Sequence, residues 1–218
     1  MLSLKERTAF LKEMLRDSYH TGSVTPSSRF LANEMARQVK QARNGNGQPY
    51  RVLEAGPGTG PITKQLIMSL RAGDELVAYE LNQRLAEHLM KSLGPLAEER
   101  QVRFEVVNEP VQNVLQRNIA FDAVVSGLPI NNFAPALVDE LFDAMLQTLK
   151  PDCPLCFYTY MGMRKFKKGV TFGEKRNRIA AVDRIVKQRM RDLNGRTKNI
   201  FVNMPPAVVH TMFRNGKS

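Results

Sequence analysis

This sequence predicts a doubly wound α/β domain with a mostly parallel, seven-stranded sheet, and three observations lead to that fold. Five short segments rich in Val, Leu and Phe alternate with helix-patterned stretches, as in a parallel sheet covered on both faces. Three glycines, 56-GPGTG-60, follow the first of these segments and precede a helix with Pro61 in its first turn, at the kind of edge where such sheets hold ligands. Two more short strands flank Pro205-Pro206 within 199–214 and complete the sheet. With 218 residues, 43% hydrophobic and 24% charged, the chain can bury one domain well and is too short for two of ordinary size.

From the amino end, residues 3–16 place Leu4, Phe10, Leu11, Met14 and Leu15 on one helical arc and Lys5, Lys12 and Arg16 opposite, an amphipathic basic helix. A loop containing Gly22, Pro26, Ser27 and Ser28 leads to a second helix over 28–40 with a serine cap. The glycine-rich 43–50 stretch is a connector. Residues 1–45 are therefore expected to form an N-terminal helical unit, and 46–218 the α/β domain. Strands are predicted at 50–55, 75–81, 102–108, 121–127 and 155–161, and helices near 61–71, 82–92, 110–117 and 134–149.

The formal charge is +11, and most of it sits in one insertion, because residues 164–198 hold thirteen Lys and Arg against three Asp and Glu. Arg164, Lys165, Lys167 and Lys168 begin this basic run, and Ile179, Val182, Val186 and Met190 recur in it at helical spacing. Such an excess points to a polyanionic partner, either nucleic acid or the anionic face of a membrane. No apolar run approaches the ~20 residues of a spanning helix, and the first residues lack a signal peptide's apolar centre. A cytoplasmic protein, peripheral to a membrane, is expected. Cys153 and Cys156 have C-x-x-C spacing with no second Cys/His pair to complete a zinc site, so reduced thiols and no metal are expected.

The glycine loop weakens two ligand readings. A nucleotide P-loop needs Gly-Lys-Ser/Thr where Gly60-Pro61-Ile62 stand, and the dinucleotide pattern G-x-G-x-x-G is not met either. What remains is Glu54-x-Gly56-x-Gly58-x-Gly60 with a second acid, Glu80, at the end of the next strand. Two acids at such a loop repel a pyrophosphate and welcome a cation. Alone, Glu80 would be a solvated strand-end acid; in register with the loop it becomes a binding residue.

This pattern resembles motif I and the second acidic motif of class I S-adenosylmethionine-dependent methyltransferases. The resemblance implies S-adenosylmethionine as cofactor and S-adenosylhomocysteine as product. It implies Glu54 orienting the cofactor's ammonium end through the loop, Gly56, Gly58 and Gly60 with Thr59 admitting its ribose and methionine part, and Glu80 with Leu81 at the ribose hydroxyls. Glu109, in Asn108-Glu109-Pro110, takes the place of the acid that contacts the adenine amine, although the family more often has Gly-Asp-Ala there. The stretch 126-SGLPINNF-133 stands where motif IV faces the methyl acceptor, with Ser126 at both cofactor and acceptor.

Two acceptor classes compete. Ser126-Gly127-Leu128-Pro129 resembles the Asn-Leu-Pro-Tyr motif of ribosomal RNA adenine dimethyltransferases, and 21–36 resembles their cofactor-covering segment, which brings in Gly22 and Ser23. Those enzymes grip the exocyclic amine with the Asn side chain and the proline carbonyl, and stack the base on the next aromatic. Gly127 and Ile130 stand in those places here, with Phe133 the nearby aromatic. The RNA enzymes also usually carry a helical C-terminal domain, whereas this sequence is expected to end with its sheet.

More of the chain is similar to bacterial phospholipid N-methyltransferases, which convert phosphatidylethanolamine to phosphatidylcholine. The similarity rests on 20-HTGSVTPSSRFLANEMA-36, 52-VLEAGPGTGPIT-63, Glu80-Leu81-Asn82, 126-SGLP-129 and 203-NMPPAVVHTMFR-214. It implies an anionic membrane surface and an amine lipid as partners in place of nucleic acid, with the N-terminal helix lying on the inner face of the cell membrane. In-line transfer to such an amine requires its neutral form and a pocket that tolerates a cationic product. Tyr19, Tyr158 and Tyr160 and the carbonyls around Ser126 and Leu128 are candidates for that pocket, and Tyr19 beside His20 for a proton relay. Against these roles, one of Tyr158 and Tyr160 can equally face the core, and His20 can be a plain loop residue. An RNA methyltransferase, a non-catalytic membrane module and an enzyme for another amine lipid are the alternatives; the intact Glu54, glycines and Glu80 weigh against the second.

Overall fold

The computed structural model describes residues 28–43, 47–161 and 174–214. In chain order the elements are α1 (Arg29–Gln41), β1 (Arg51–Ala55), α2 (Pro61–Ser69), β2 (Glu75–Tyr79), α3 (Gln83–Glu99), β3 (Arg103–Val107), β4 (Ala123–Ser126), α4 (Pro135–Thr148), β5 (Pro154–Tyr160), α5 (Glu174–Asp192), β6 (Arg196–Ile200) and β7 (Ala207–Phe213). Single 3₁₀ segments span Val111–Arg117 and Ile130–Asn132. The seven strands form one sheet in the order β3-β2-β1-β4-β5-β7-β6. β3, β2, β1, β4 and β5 are parallel, and β7 runs antiparallel between β5 and β6.

Alternation along each strand builds two cores. Leu53, Val77, Val124 and Phe157 face α4, α5 and the first 3₁₀ segment, while Val52, Leu76, Val125 and Cys156 face α1, α2 and α3. A sheet buried on both faces explains why its strands read as near-continuous apolar runs. The Ser28 hydroxyl caps α1 by accepting the Leu31 N–H at 3.3 Å, as its place before the helix predicts.

Three element boundaries depart from expectation. α3 continues seven residues beyond 92, through Gly94 and Pro95, because Ala86, Leu89, Leu93 and Ala97 carry one buried stripe across both helix breakers. The 110–117 stretch winds as a 3₁₀ segment ending at Asn118 in the left-handed region. β6 begins at Arg196, inside the stretch expected to be the basic insertion. Its first four residues are exposed polar ones, so it shows no apolar alternation; it is an edge strand defined by pairing to β7.

Cys156 is fully buried with its Sγ 3.7 Å from the Thr211 hydroxyl, and burial pushes its thiol up to about 12; Cys153 is raised as well. Both thiols are free and stay protonated. Among the described residues, no helix is long and apolar enough to cross a membrane.

Candidate active site

Because β1, β2, β4 and β5 are parallel, the segments that follow them gather at one edge of the sheet. The glycine loop after β1 is pinned from both neighbouring strands: the Gly56 N–H donates to the Tyr79 carbonyl at 2.9 Å, and the Gly127 N–H to the Ala55 carbonyl at 2.8 Å. Two glycines here are set by the geometry, one by its backbone conformation and one by close approach. Gly60 sits at φ +89°, a left-handed conformation that strains any other residue, and a Cβ there would also press on the Leu89 and Leu93 side chains of α3 at 2.7 and 3.0 Å. A Cβ on Gly127 would lie 2.5 Å from the Gly56 carbonyl oxygen, so the motif IV loop rests backbone against backbone on the glycine loop. Leu128 closes the same contact, with its side chain filling the space beside Gly56.

Two acids sit at this junction. Glu80 is buried just past β2, one carboxylate oxygen accepting the Gly58 N–H at 3.0 Å and the other the Asn82 N–H at 2.8 Å. Burial raises its pKa, opposed by the N–H groups of Asn82, Gly58 and Leu81. The Asn108 side-chain amide donates to the Glu80 carbonyl at 2.7 Å and fixes the strand end from the third side. Glu54 points the other way from Leu53 and Ala55, into the core under the first turn of α2, level with Ala78 and Val125. It is 0% exposed, and its polar neighbour is the Thr63 hydroxyl, close enough to favour the charged form although neither group completes a hydrogen bond of normal geometry. Burial, reinforced by the Glu80 charge, pushes its carboxyl up to about 8, with Thr63 offsetting part of the rise.

An orphaned buried carboxyl is costly unless a counter-charge arrives. With a second carboxylate already on the loop's N–H, the junction repels phosphate and fits a ligand with a cationic end and hydroxyl groups, the chemistry of S-adenosylmethionine. Glu54, Glu80 and the backbone of 56–58 are the groups that would hold it.

The remaining sequence-based candidates are distributed unevenly. Thr59 is exposed at the loop tip, and Leu81 is buried in the core beside Glu80. Glu109 is exposed at the start of the 3₁₀ segment, accepting from the Asn113 amide at 3.0 Å. Ser126 is fully buried at the end of β4, and its hydroxyl accepts the Leu128 N–H at 3.4 Å. The Leu128 carbonyl, a candidate for the acceptor amine, already accepts the Ile130 N–H at 2.9 Å. Tyr158 and Tyr160 share one face and meet edge to face with centroids 5.4 Å apart; both pack on the α1-side core, Tyr158 buried in it and Tyr160 half-buried at its rim. Burial raises the hydroxyl pKa of Tyr160, so it stays protonated. Phe133, the aromatic nearest the motif IV loop, is 0% exposed and packed in the core with Ile130. Tyr19, His20, Gly22, Ser23, Lys5, Lys12, Arg16, Arg164, Lys165, Lys167 and Lys168 lie outside the described residues.

Sequence reasoning missed an open cavity of about 810 Å³ beside this edge. It runs between α5 and the β5-β7-β6 part of the sheet, with Asn131, Tyr160 and Met161 at one end and Val186, Met190 and His210 along its wall. His210 stacks on Phe157 at 4.7 Å, shares a 2.8 Å hydrogen bond with the Thr159 hydroxyl, and leaves its Nδ1 buried without a partner. Burial holds its pKa down at about 4, partly offset by Asp183. The one signal was a histidine inside the alternating 207-AVVHTMF-213, which local pattern alone does not separate from a satisfied strand residue.

No family model matches the chain. It is 30% identical over 155 residues to the ornithine lipid N-methyltransferase of Singulisphaera acidiphila, a match covering 68% of this chain and 74% of that enzyme. It is 36% identical over 110 residues to ribosomal RNA small subunit methyltransferase A of Leifsonia xyli, covering 50% of this chain but only 38% of the RNA enzyme. Among solved structures, the O-methyltransferase TomG of Streptomyces achromogenes, in complex with S-adenosylmethionine, superposes with a TM-score of 0.63 at 14% identity, over 85% of this chain and 79% of its own. An O-methyltransferase from Bacillus cereus, in complex with S-adenosylhomocysteine, gives 0.63 at 16%, over 94% and 90%. The structural likenesses show the fold, and the sequence likeness to the lipid enzyme carries the assignment further: with S-adenosylmethionine as its cofactor, the chain belongs to the class I S-adenosylmethionine-dependent methyltransferases.

Proposed function

We propose that this methyltransferase acts on the primary amine of a membrane lipid headgroup, phosphatidylethanolamine or the amine of an ornithine lipid, and that it works at the surface of an anionic membrane. The motif IV loop carries this reading. An RNA-type Asn at position 127 has no room for even its Cβ beside the Gly56 carbonyl, and Ile130 and Phe133 offer no free ring face for a flipped base. The loop lacks the groups that grip and stack an adenine. A small primary amine needs neither. The lipid-methylating relative, aligned over most of both chains, supports the same class.

S-adenosylmethionine supplies a methyl group activated by a positively charged sulfur. The chain's own groups supply placement. Glu54, ionised when a cation comes to it, and the carboxylate of Glu80, whose oxygens retain lone pairs beyond the Gly58 and Asn82 bonds, hold a cationic, hydroxyl-bearing ligand at the end of β1. Leu128 and Gly127 lie against the glycine loop and cover part of its acceptor side, with the Leu128 side chain buried there. An amine leaving water for this buried edge loses its proton more readily, because burial disfavours the charged form, and the neutral amine is the nucleophile.

The test offers purified protein and methyl-labelled S-adenosylmethionine three acceptors together: vesicles containing phosphatidylethanolamine, vesicles containing ornithine lipid, and total RNA. Label in either lipid supports the reading and names the headgroup. Label in RNA alone overturns it, and would turn the basic segment into an RNA-binding surface whose affinity falls steeply with salt.

A further inference from the structure

The turn between β6 and β7 borders the acceptor edge. Tyr160, the last residue of β5, pairs with Ala207 at the start of β7, and the Met161 N–H donates to the Pro206 carbonyl at 2.6 Å. The turn itself is inverted relative to an ordinary water-facing loop. Phe201, Val202 and Met204 are 69%, 67% and 82% exposed, while the polar residue among them, Asn203, is 2% exposed. The Asn203 amide donates to the Pro205 carbonyl at 2.5 Å and its backbone N–H to the Ile200 carbonyl at 3.4 Å, so the inward Asn holds the apolar side chains outward.

The nearby segments carry more cations than acids, with Glu34 of α1, already paired to Arg37, the carboxylate within electrostatic reach of Lys198. No Asp or Glu occurs from 193 to 218, and Lys198 is exposed two residues before the end of β6. α1 contributes at the same end. Its C-terminal part reaches the opposite edge, where Gln38 bonds Thr211 and the Val39 carbonyl meets the Tyr50 hydroxyl, so Arg29 and the 51% exposed Phe30 stand at the acceptor edge.

We propose that 201-FVNM-204 is a membrane-insertion tip, with Phe201, Val202 and Met204 entering the headgroup and acyl boundary of an anionic bilayer while Arg29 and Lys198 face its phosphates. A bilayer fits better than a protein partner. Three side chains on one convex turn fall far short of the roughly 800 Å² per partner of a stable protein interface, whereas a bilayer accepts a convex wedge and rewards flanking cations. The role of the tip, bringing the acceptor edge to headgroup level, rests on the lipid-acceptor reading above; its insertion does not.

The chain contains no tryptophan, so Phe201→Trp creates a single fluorescent reporter in the full-length protein. With vesicles of phosphatidylethanolamine and phosphatidylglycerol, its emission should shift to the blue and be quenched by brominated acyl chains. The triple variant Phe201→Ser, Val202→Ser, Met204→Ser should bind the vesicles about tenfold or more weakly, with S-adenosylhomocysteine affinity and melting temperature unchanged. Emission that stays red on vesicle-bound protein overturns the proposal. So do triple-variant binding equal to wild type, failure of the wild type to bind vesicles, and self-association abolished by the triple variant with no change on vesicles. Methyl transfer to detergent-dispersed lipid, measured on the same preparations, separates the two readings. Transfer without insertion sinks the tip alone, and insertion without transfer to any lipid sinks the acceptor reading alone.

Discussion

Around β1, β2 and β4 the site loops meet backbone against backbone with no room for a side chain between them, and around β5, β7 and β6 backbone bonds join the strand ends while side chains line an open cavity and an exposed turn. In the first region, 2.8 to 3.0 Å backbone hydrogen bonds and the 2.5 Å clearance at Gly127 hold the loops together, and Glu80 is fixed there by the N–H groups of Gly58 and Asn82. In the second, an open cavity, a stacked histidine and an exposed apolar turn meet the acceptor edge through surfaces that many side chains could form. A cofactor common to a whole family demands the first kind of construction, and an acceptor that differs between relatives permits the second. The contrast makes opposite forecasts about substitution.

The largest effect should come from placing the RNA-type residue in the backbone-limited region. Gly127→Asn must displace the Gly56 carbonyl, so we expect a stability loss of about 2–4 kcal/mol, abolished methyl transfer and no gain of RNA methylation, read by urea unfolding and labelled product. An active, stable Gly127→Asn protein would break the comparison. Next is Glu54→Gln. Folded Glu54 keeps its proton up to about 8, whereas the unfolded chain releases it near 4.3, so between those values the unfolded state binds fewer protons and stability falls as pH rises, by up to about 1.4 kcal/mol per unit. Without cofactor, Glu54→Gln should be more stable than wild type at pH 8 by more than at pH 5, yet bind S-adenosylhomocysteine at least about tenfold more weakly. Gains in stability and losses in binding from one substitution mark a group kept for its ligand.

Smaller effects belong to the side-chain region. His210 is held neutral, with its folded pKa near 4 against about 6.5 unfolded, so its contribution is complete above 6.5 and lost as pH falls toward 4. His210→Gln should flatten the acid limb of the unfolding midpoint between pH 6.5 and 4, with the cofactor's dissociation constant unchanged. Last comes Lys187→Ala, which removes an exposed pair with Asp183 at 3.2 Å on the cavity rim; it should change stability by no more than about 0.5 kcal/mol. A loss of several kcal/mol there would mean that the second region is as tightly built as the first.

Legibility in the sequence follows the same division. The sheet and the cofactor acids were readable because burial on both faces imposes apolar strands, and because positive φ favours glycine at 56 and 60, so local constraint appears directly as residue type. The run of α3 past Pro95 and the pairing of polar β6 were not readable, since each is decided by what packs against it. So, too, tertiary packing decided that Tyr158 faces the core, that Phe133 is closed to a base, and that Glu54 has no partner in a site shaped for a cation. A sequence determines which conformations each residue can adopt and which faces must leave water; only the assembled sheet determines which atoms then meet, because those contacts join residues as far apart as Gln38 and Thr211.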